Sequence, residues 1–100
     1  MINQNKSVGE YIRELRTSKG IPLRKLASAI DIDQSTLAKM ERGQRAFSLD
    51  MAPAIAKALE IDFKELQIAL LASVVLQVVE GEEYGSEGLK LAVRHLNSEK

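Results

Sequence analysis

The sequence predicts an all-α fold, and three observations carry that prediction. Apolar residues recur at intervals of three and four along most of the chain, the spacing that lines one face of a helix. Start and stop signals punctuate the pattern, with carboxylates at Asp33 and Asp62 ahead of apolar runs and glycines at Gly20 and Gly43 behind others. Between Leu23 and Gly43, LRKLASAIDIDQSTLAKMERG, two short helices are separated by a four-residue break.

The helices follow in order. Val8, Tyr11, Ile12 and Leu15 give the first an apolar stripe, and Lys19 with Gly20 ends it with a cation and a stop. Leu23, Leu26, Ala27 and Ile30 form the apolar face of the second, so Arg24, Lys25 and Ser28 point elsewhere. Asp31 then stands where the chain needs the left-handed conformation, which Asp adopts less readily than Gly or Asn. Asp33 offers a carboxylate to the free amides of a third helix, and its charge suits the positive end of the helix dipole, so that helix begins near Gln34.

Advancing about 100° per residue places Leu37, Met40 and Glu41 on one side of the third helix and Ser35, Lys39 and Arg42 on the other. Gln34, Thr36 and Ala38 fall at the flanks. A helix seated in the major groove needs such a division. Gln bonds adenine, Ser and Thr bond a base or a phosphate, and Lys reaches guanine or the backbone, while a small Ala allows close approach. Glu41 lies on the inward side, where an unpaired carboxylate is costly, and so needs a cationic partner.

A fourth helix is expected from about Asp50 through Ile55 and Leu59, because Pro53 then falls in the first turn, where its missing amide costs nothing. Asp62, followed three residues later by Glu65, opens a fifth as a variant capping box. From Phe63 to Val79, apolar residues spread around nearly the whole circumference of that helix, broken by Gln67, Ser73 and Gln77. A helix apolar all round is buried all round, yet the run is too short to span a bilayer and one small chain cannot supply so large a core. Glu80 to Glu83 end it, and Ser86 is expected to cap a sixth helix carrying Leu89, Ala92, Val93 and Leu96 on one face. Folding back of that helix would cover one side only. A second subunit is the expected cover, through Leu70, Leu71, Val74, Val75, Val78, Leu89, Val93 and Leu96. Residues 1–7 are expected to form a flexible N-terminus, residues 8–66 a folded unit and residues 67–100 a dimerisation region, with 97–100 frayed.

Net charge is zero, but its distribution is uneven. Residues 1–50 hold nine Lys or Arg against six Asp or Glu, and residues 51–100 hold five against eight, so the halves carry +3 and −3. Local neutralisation of phosphates, not the total, governs nucleic-acid affinity. The absence of Cys excludes a disulfide scaffold or thiolate metal site and agrees with a reducing cytoplasm. MINQNKSVGE lacks the apolar core of a signal peptide, so a cytoplasmic protein is expected. His95 is the only histidine, with no Cys or spaced carboxylate pair nearby. No Gly-rich phosphate loop, zinc ligand set or nucleophile elbow appears either. Neither an enzyme nor a metal or other cofactor is therefore expected, and no small-molecule effector is evident.

Leu26 and Ala27, the run Ile32 to Leu37, and Met40 to Gly43 resemble the signature of the Cro/C1-type, or xenobiotic-response-element, helix-turn-helix regulators, over about Val8 to Leu66. That resemblance implies a five-helix lambda-repressor-like DNA-binding domain, here with an additional C-terminal helix. It implies a structural ion pair between Arg16 and Glu41, base contacts from Gln34, Ser35 and Lys39, and DNA backbone contacts from Thr36, Arg42, Gln44 and Arg45. Pro22 and Leu23 replace the usual Ser or Thr and phosphate-touching Gln, so Arg24 is expected in place of that contact; Asp31 replaces the usual turn Gly, and Phe47 a common Pro. In size and in having no effector domain the chain is also similar to the controller proteins of restriction-modification systems, small all-helical dimers of this family.

The expected function is a transcriptional regulator acting on double-stranded DNA as a homodimer, since a two-fold pair places two reading helices one turn apart on a pseudo-palindrome. The alternative is an interaction protein, such as an antitoxin-like partner, whose apolar C-terminal half binds another protein.

Overall fold

The computed structural model describes residues 7–98, which form six α-helices and one 3-10 turn, with no strand among the described residues. In chain order these are α1 (Val8–Ser18), α2 (Leu23–Ala29), α3 (Gln34–Glu41), a 3-10 turn (Leu49–Met51), α4 (Ala52–Leu59), α5 (Phe63–Val79) and α6 (Gly85–Ser98).

The folded unit begins one residue earlier than its apolar pattern suggests. Ser7 is the N-cap of α1: its hydroxyl accepts the Glu10 amide at 3.2 Å while the Glu10 carboxylate accepts the Ser7 amide, a reciprocal capping box. Ser7, expected at the end of a flexible leader, thus makes the first capping bonds of α1. The remainder of that expected leader, residues 1–6, lies outside the described residues, as do Glu99 and Lys100 of the expected frayed tail.

α1 packs on α3 and α5, α2 on α3 and α4, and α4 on α5, around a core in which Ile12, Leu26, Leu37, Ile55, Leu59, Leu66 and Leu70 are fully buried. Burying each such side chain contributes about 1.5–3 kcal/mol, so Leu26 and Leu37 fix α2 and α3 against one another through the core they share. Phe47, at the position where the family commonly has Pro, is buried and draws the loop after α3 into the same cluster. Gly9 permits the tightest contact. A Cβ there would lie 2.3 Å from the Met40 carbonyl oxygen, so α1 and the end of α3 approach more closely than any side chain would allow.

Three boundaries differ from expectation. Asp50 does not cap α4; it lies within the 3-10 turn, where its carboxylate accepts the Ser48 hydroxyl, and α4 begins at Ala52 with Pro53 in its first turn. Ser86 does not cap α6, because the helix already starts at Gly85. That corner closes on a glycine, where a Cβ would stand 2.4 Å from the Val79 carbonyl oxygen. Asn97 and Ser98, expected in the frayed tail, are placed within α6, the Ser98 hydroxyl donating to the His95 carbonyl at 2.9 Å.

α5 runs unbroken across the expected boundary between residues 66 and 67. Its first half is rooted in the core by Leu66, Ala69 and Leu70. Leu70, expected at a subunit interface, is thus covered completely by its own chain: the register turns it to the same side as Leu66, toward α4 and α1. The second half of α5 stays bare, with Leu71 44%, Val74 37%, Val75 39% and Val78 70% exposed. α6 packs on α5 but buries only Gly85, leaving Leu89 half-buried and Val93 and Leu96 exposed. The radius of gyration, 14.8 Å, accordingly exceeds the ~13 Å of a compact chain of this length.

Candidate nucleic-acid interface

The break between α2 and α3 is built from backbone hydrogen bonds around a left-handed residue. α2 ends as the Asp31 amide bonds the Ser28 carbonyl and the Ile32 amide bonds the Ala27 carbonyl, at 3.2 and 3.0 Å. The geometry requires a positive φ at Asp31, and the residue adopts 60°. Asp33 then caps α3, its carboxylate accepting the Thr36 amide at 2.7 Å and the Ser35 hydroxyl at 3.1 Å. Hydrogen bonds from the Thr36 side chain, the Thr36 amide and the Ser35 hydroxyl, with the charge of Arg45 adding to them, hold the Asp33 carboxyl below its ordinary range.

The inner face of α3 is Leu37, Met40 and Glu41, all buried. Glu41 is the sole charged residue in the described core, and Arg16 meets it with two hydrogen bonds, Nε to Oε2 at 2.8 Å and Nη2 to Oε1 at 3.0 Å. The remaining guanidinium nitrogen, Nη1, donates to the Ile21 carbonyl at 2.9 Å. One side chain thereby joins α1, the turn before α2 and the last residue of α3. Such a forked geometry satisfies a buried carboxylate as a point charge could not.

The outer face carries Gln34, Ser35, Lys39 and Arg42, all exposed, with Ala38 half-buried among them. Thr36 is half-buried at the flank, and both its amide and its hydroxyl are engaged by Asp33. Beyond the end of α3, Gly43 has a φ of 79°, which lets the Gln44 amide reach back to the Lys39 carbonyl at 2.8 Å. In the exposed loop that follows, the Arg42 guanidinium donates to the Gln44 side-chain carbonyl at 3.3 Å, and Arg45 lies close enough to Asp33 to act on its carboxyl. Arg24 stands exposed in the first turn of α2. The fold therefore brings Ser35, Lys39 and Arg42 onto one solvent face, puts Gln34 at its leading edge and Gln44 and Arg45 at its trailing edge, and turns Thr36 partly inward.

Sequence reasoning missed the bond between Ser35 and Asp33 and the close approach at Gly9. The first had a visible signal, a hydroxyl two residues beyond an acidic cap; the second had none beyond a glycine inside a helix. Among the described residues no group of three or more His, Cys, Asp or Glu could hold a metal ion, and no helix is long and apolar enough to cross a membrane.

A family model described as helix-turn-helix matches residues 12–66. Among solved structures, the restriction-modification controller protein C.AhdI from Aeromonas hydrophila is 42% identical over 59% of this chain and 89% of that one, with a TM-score of 0.54. The clp gene regulator ClgR from C. glutamicum is 26% identical over 73% of this chain and 95% of that one, with a TM-score of 0.56. No curated protein matches the chain.

Proposed function

The chain belongs to the helix-turn-helix family, in its Cro/C1-type branch, and from that membership we propose that it is a sequence-specific transcriptional regulator acting as a homodimer on a pseudo-palindromic operator. In this reading α3 enters the major groove with Gln34, Ser35 and Lys39 toward base edges, while Arg24, Arg42, Gln44 and Arg45 flank it toward phosphates, and Thr36, also expected there, reaches a phosphate only by giving up its hydroxyl's bond to Asp33. The observation that carries the reading is the division of α3: a polar and cationic outer face stands exposed while Leu37, Met40 and Glu41 lock the inner face to the core. The cationic half-chain that holds this helix adds the electrostatic attraction that phosphate binding needs.

Pairing of two copies through the bare second half of α5 and the open face of α6 is supported by the surface itself. The chain exposes 7116 Å², against about 5,700 Å² for a folded monomer of its mass. The residues expected at the interface, with Leu70 now removed, form its apolar stripe. Dimerisation also serves recognition, because one module touches too few base pairs to single out an operator. The reading needs no cofactor and no catalytic group, and it places the protein in the cytoplasm beside DNA. The likeness to a restriction-modification controller protein and to a gene regulator supports a regulatory role.

Selection of duplexes from a randomised pool tests the DNA reading, and failure to enrich any sequence would sink it. Mass measurement of the purified chain tests the pairing. A symmetric dimer is the expected result, whereas a monomer that associates only with a different protein favours the antitoxin-like alternative, which the same bare surface would serve.

A further inference from the structure

A serine hydroxyl carries one proton and two lone pairs, so a free Ser at a DNA interface bonds either donors or acceptors. Ser35 is not free in this sense. Its Oγ donates to the Asp33 carboxylate at 3.1 Å, and the same carboxylate oxygen is pinned at 2.7 Å by the Thr36 amide at the start of α3. The acceptor is held by the helix terminus and does not swing away with the solvent. The hydroxyl proton of Ser35 therefore points back along the protein, and only lone pairs face outward.

We propose that Asp33 sets the hydrogen-bond polarity of Ser35, so that Ser35 recognises the exocyclic amino group of adenine or cytosine and discriminates against guanine and thymine. The inference rests on Ser35 facing base edges, and deepens that reading by naming the chemical class of its target. In the major groove, only adenine N6 and cytosine N4 present donors; guanine O6 and N7 and thymine O4 are acceptors, as are phosphate oxygens. An outward lone pair finds a partner only on the first two. Lys39, a pure donor on the same exposed face, suits the complementary acceptor edge of guanine. Asp33 is a positioning residue here: it touches Ser35 and not the base.

The test uses the full chain as wild type, Ser35→Ala, Asp33→Ser and Asp33→Asn, each selecting duplexes from a randomised pool. Asp33→Ser retains a capping oxygen but removes the carboxylate, whereas Asp33→Asn retains an acceptor oxygen for both Thr36 and Ser35. Wild type should enrich adenine or cytosine at one position of each half-site. Ser35→Ala should lose that preference, Asp33→Ser should admit guanine or thymine there, and Asp33→Asn should keep the wild-type pattern. A second measurement does not depend on any cap variant folding. A selected duplex whose facing base lacks its exocyclic amino group should bind wild type about tenfold more weakly, and should bind Ser35→Ala as well as the parent duplex does. Guanine or thymine at the Ser35-dependent position, no effect of Ser35→Ala, or equal wild-type binding to the amino-deleted duplex overturns the proposal while leaving DNA binding intact. Enrichment of nothing by wild type overturns the DNA reading on which it stands.

Discussion

Arg16 in the last turn of α1 clasps Glu41, the final residue of α3, through two hydrogen bonds of 2.8 and 3.0 Å, and the carboxylate side chain is only 3% exposed. Removing one partner leaves the other charge buried without compensation, which costs about 3–5 kcal/mol. Glu41→Ala and Arg16→Ala should each lower the unfolding free energy by that order in urea titrations. An apolar pair, Arg16→Met with Glu41→Leu, should be less damaging than either single change, because it removes both desolvation penalties together. Near-wild-type stability of Glu41→Ala would show that the pair is dispensable.

Asp31 holds φ at 60° on an exposed turn, a conformation that disfavours any residue with a Cβ. Asp31→Gly should therefore raise stability by about 0.5–1 kcal/mol, and Asp31→Val should lower it by at least as much. Thermal melts of the two variants should shift in opposite directions. Glu60, with φ 56° at the end of α4, should respond to Gly in the same sense.

The Asp33 carboxyl is held below the ordinary carboxylate range by the hydrogen bonds of Thr36 and Ser35. A group depressed in the folded state binds fewer protons there than when unfolded, so stability rises with pH between the two values. Its contribution is complete above about pH 4, falls as pH drops through the folded value, and is gone below it. Stability measured from pH 5 to pH 2 should fall more steeply for wild type than for Asp33→Asn. Parallel curves would show that the cap does not depend on charge.

The contacts proposed for α3 and for the loop after it are of two kinds with different signatures. Lys39→Ala should relax sequence preference at one position, at about 1–3 kcal/mol. Arg45→Ala should weaken binding to all duplexes alike and reduce the salt dependence by about one phosphate equivalent. Affinities measured across a salt series on cognate and scrambled duplexes separate them, and identical behaviour of both variants would contradict the assignment.

Neighbours on α5 should behave in opposite ways. Leu71 is 44% exposed, so Leu71→Glu should keep the helical circular dichroism while converting a dimer to a monomer in sedimentation. Leu70 is fully buried, and Leu70→Ala should lower stability by about 2–5 kcal/mol through the cavity it leaves. A Leu71→Glu variant that remains dimeric would move the interface elsewhere.

The helices and the break at Asp31 were legible because they rest on local rules: three-and-four periodicity, a carboxylate cap, a residue forced to positive φ. The inward turn of Glu41 was legible for the same reason, since the angle between neighbours on a helix is fixed. Leu70 was not. On a helix apolar all round, the pattern cannot say which side faces the chain's own core, and only the packing of α4 and α1 settles it. The starts of α4 and α6 also escaped: the Asp50 carboxylate accepts a hydroxyl two residues back instead of capping α4, and the corner at Gly85 depends on the backbone of Val79 on the preceding helix. The polarity of Ser35 lay between these cases, local in sequence but decided by which way one proton points.

The unbroken course of α5 makes it a ruler. Leu66 and Leu70 bolt its first half to the body that carries α3, and Leu71, Val74 and Val78 present its second half outward on the same rigid rod. In a two-fold dimer the distance and phase between the two α3 helices are then set by residue count along this rod. One residue inserted after Leu70 advances the apolar stripe by about 1.5 Å and turns it by about 100°. In the proposed complex, the spacing of the half-sites is then a matter of the length of α5.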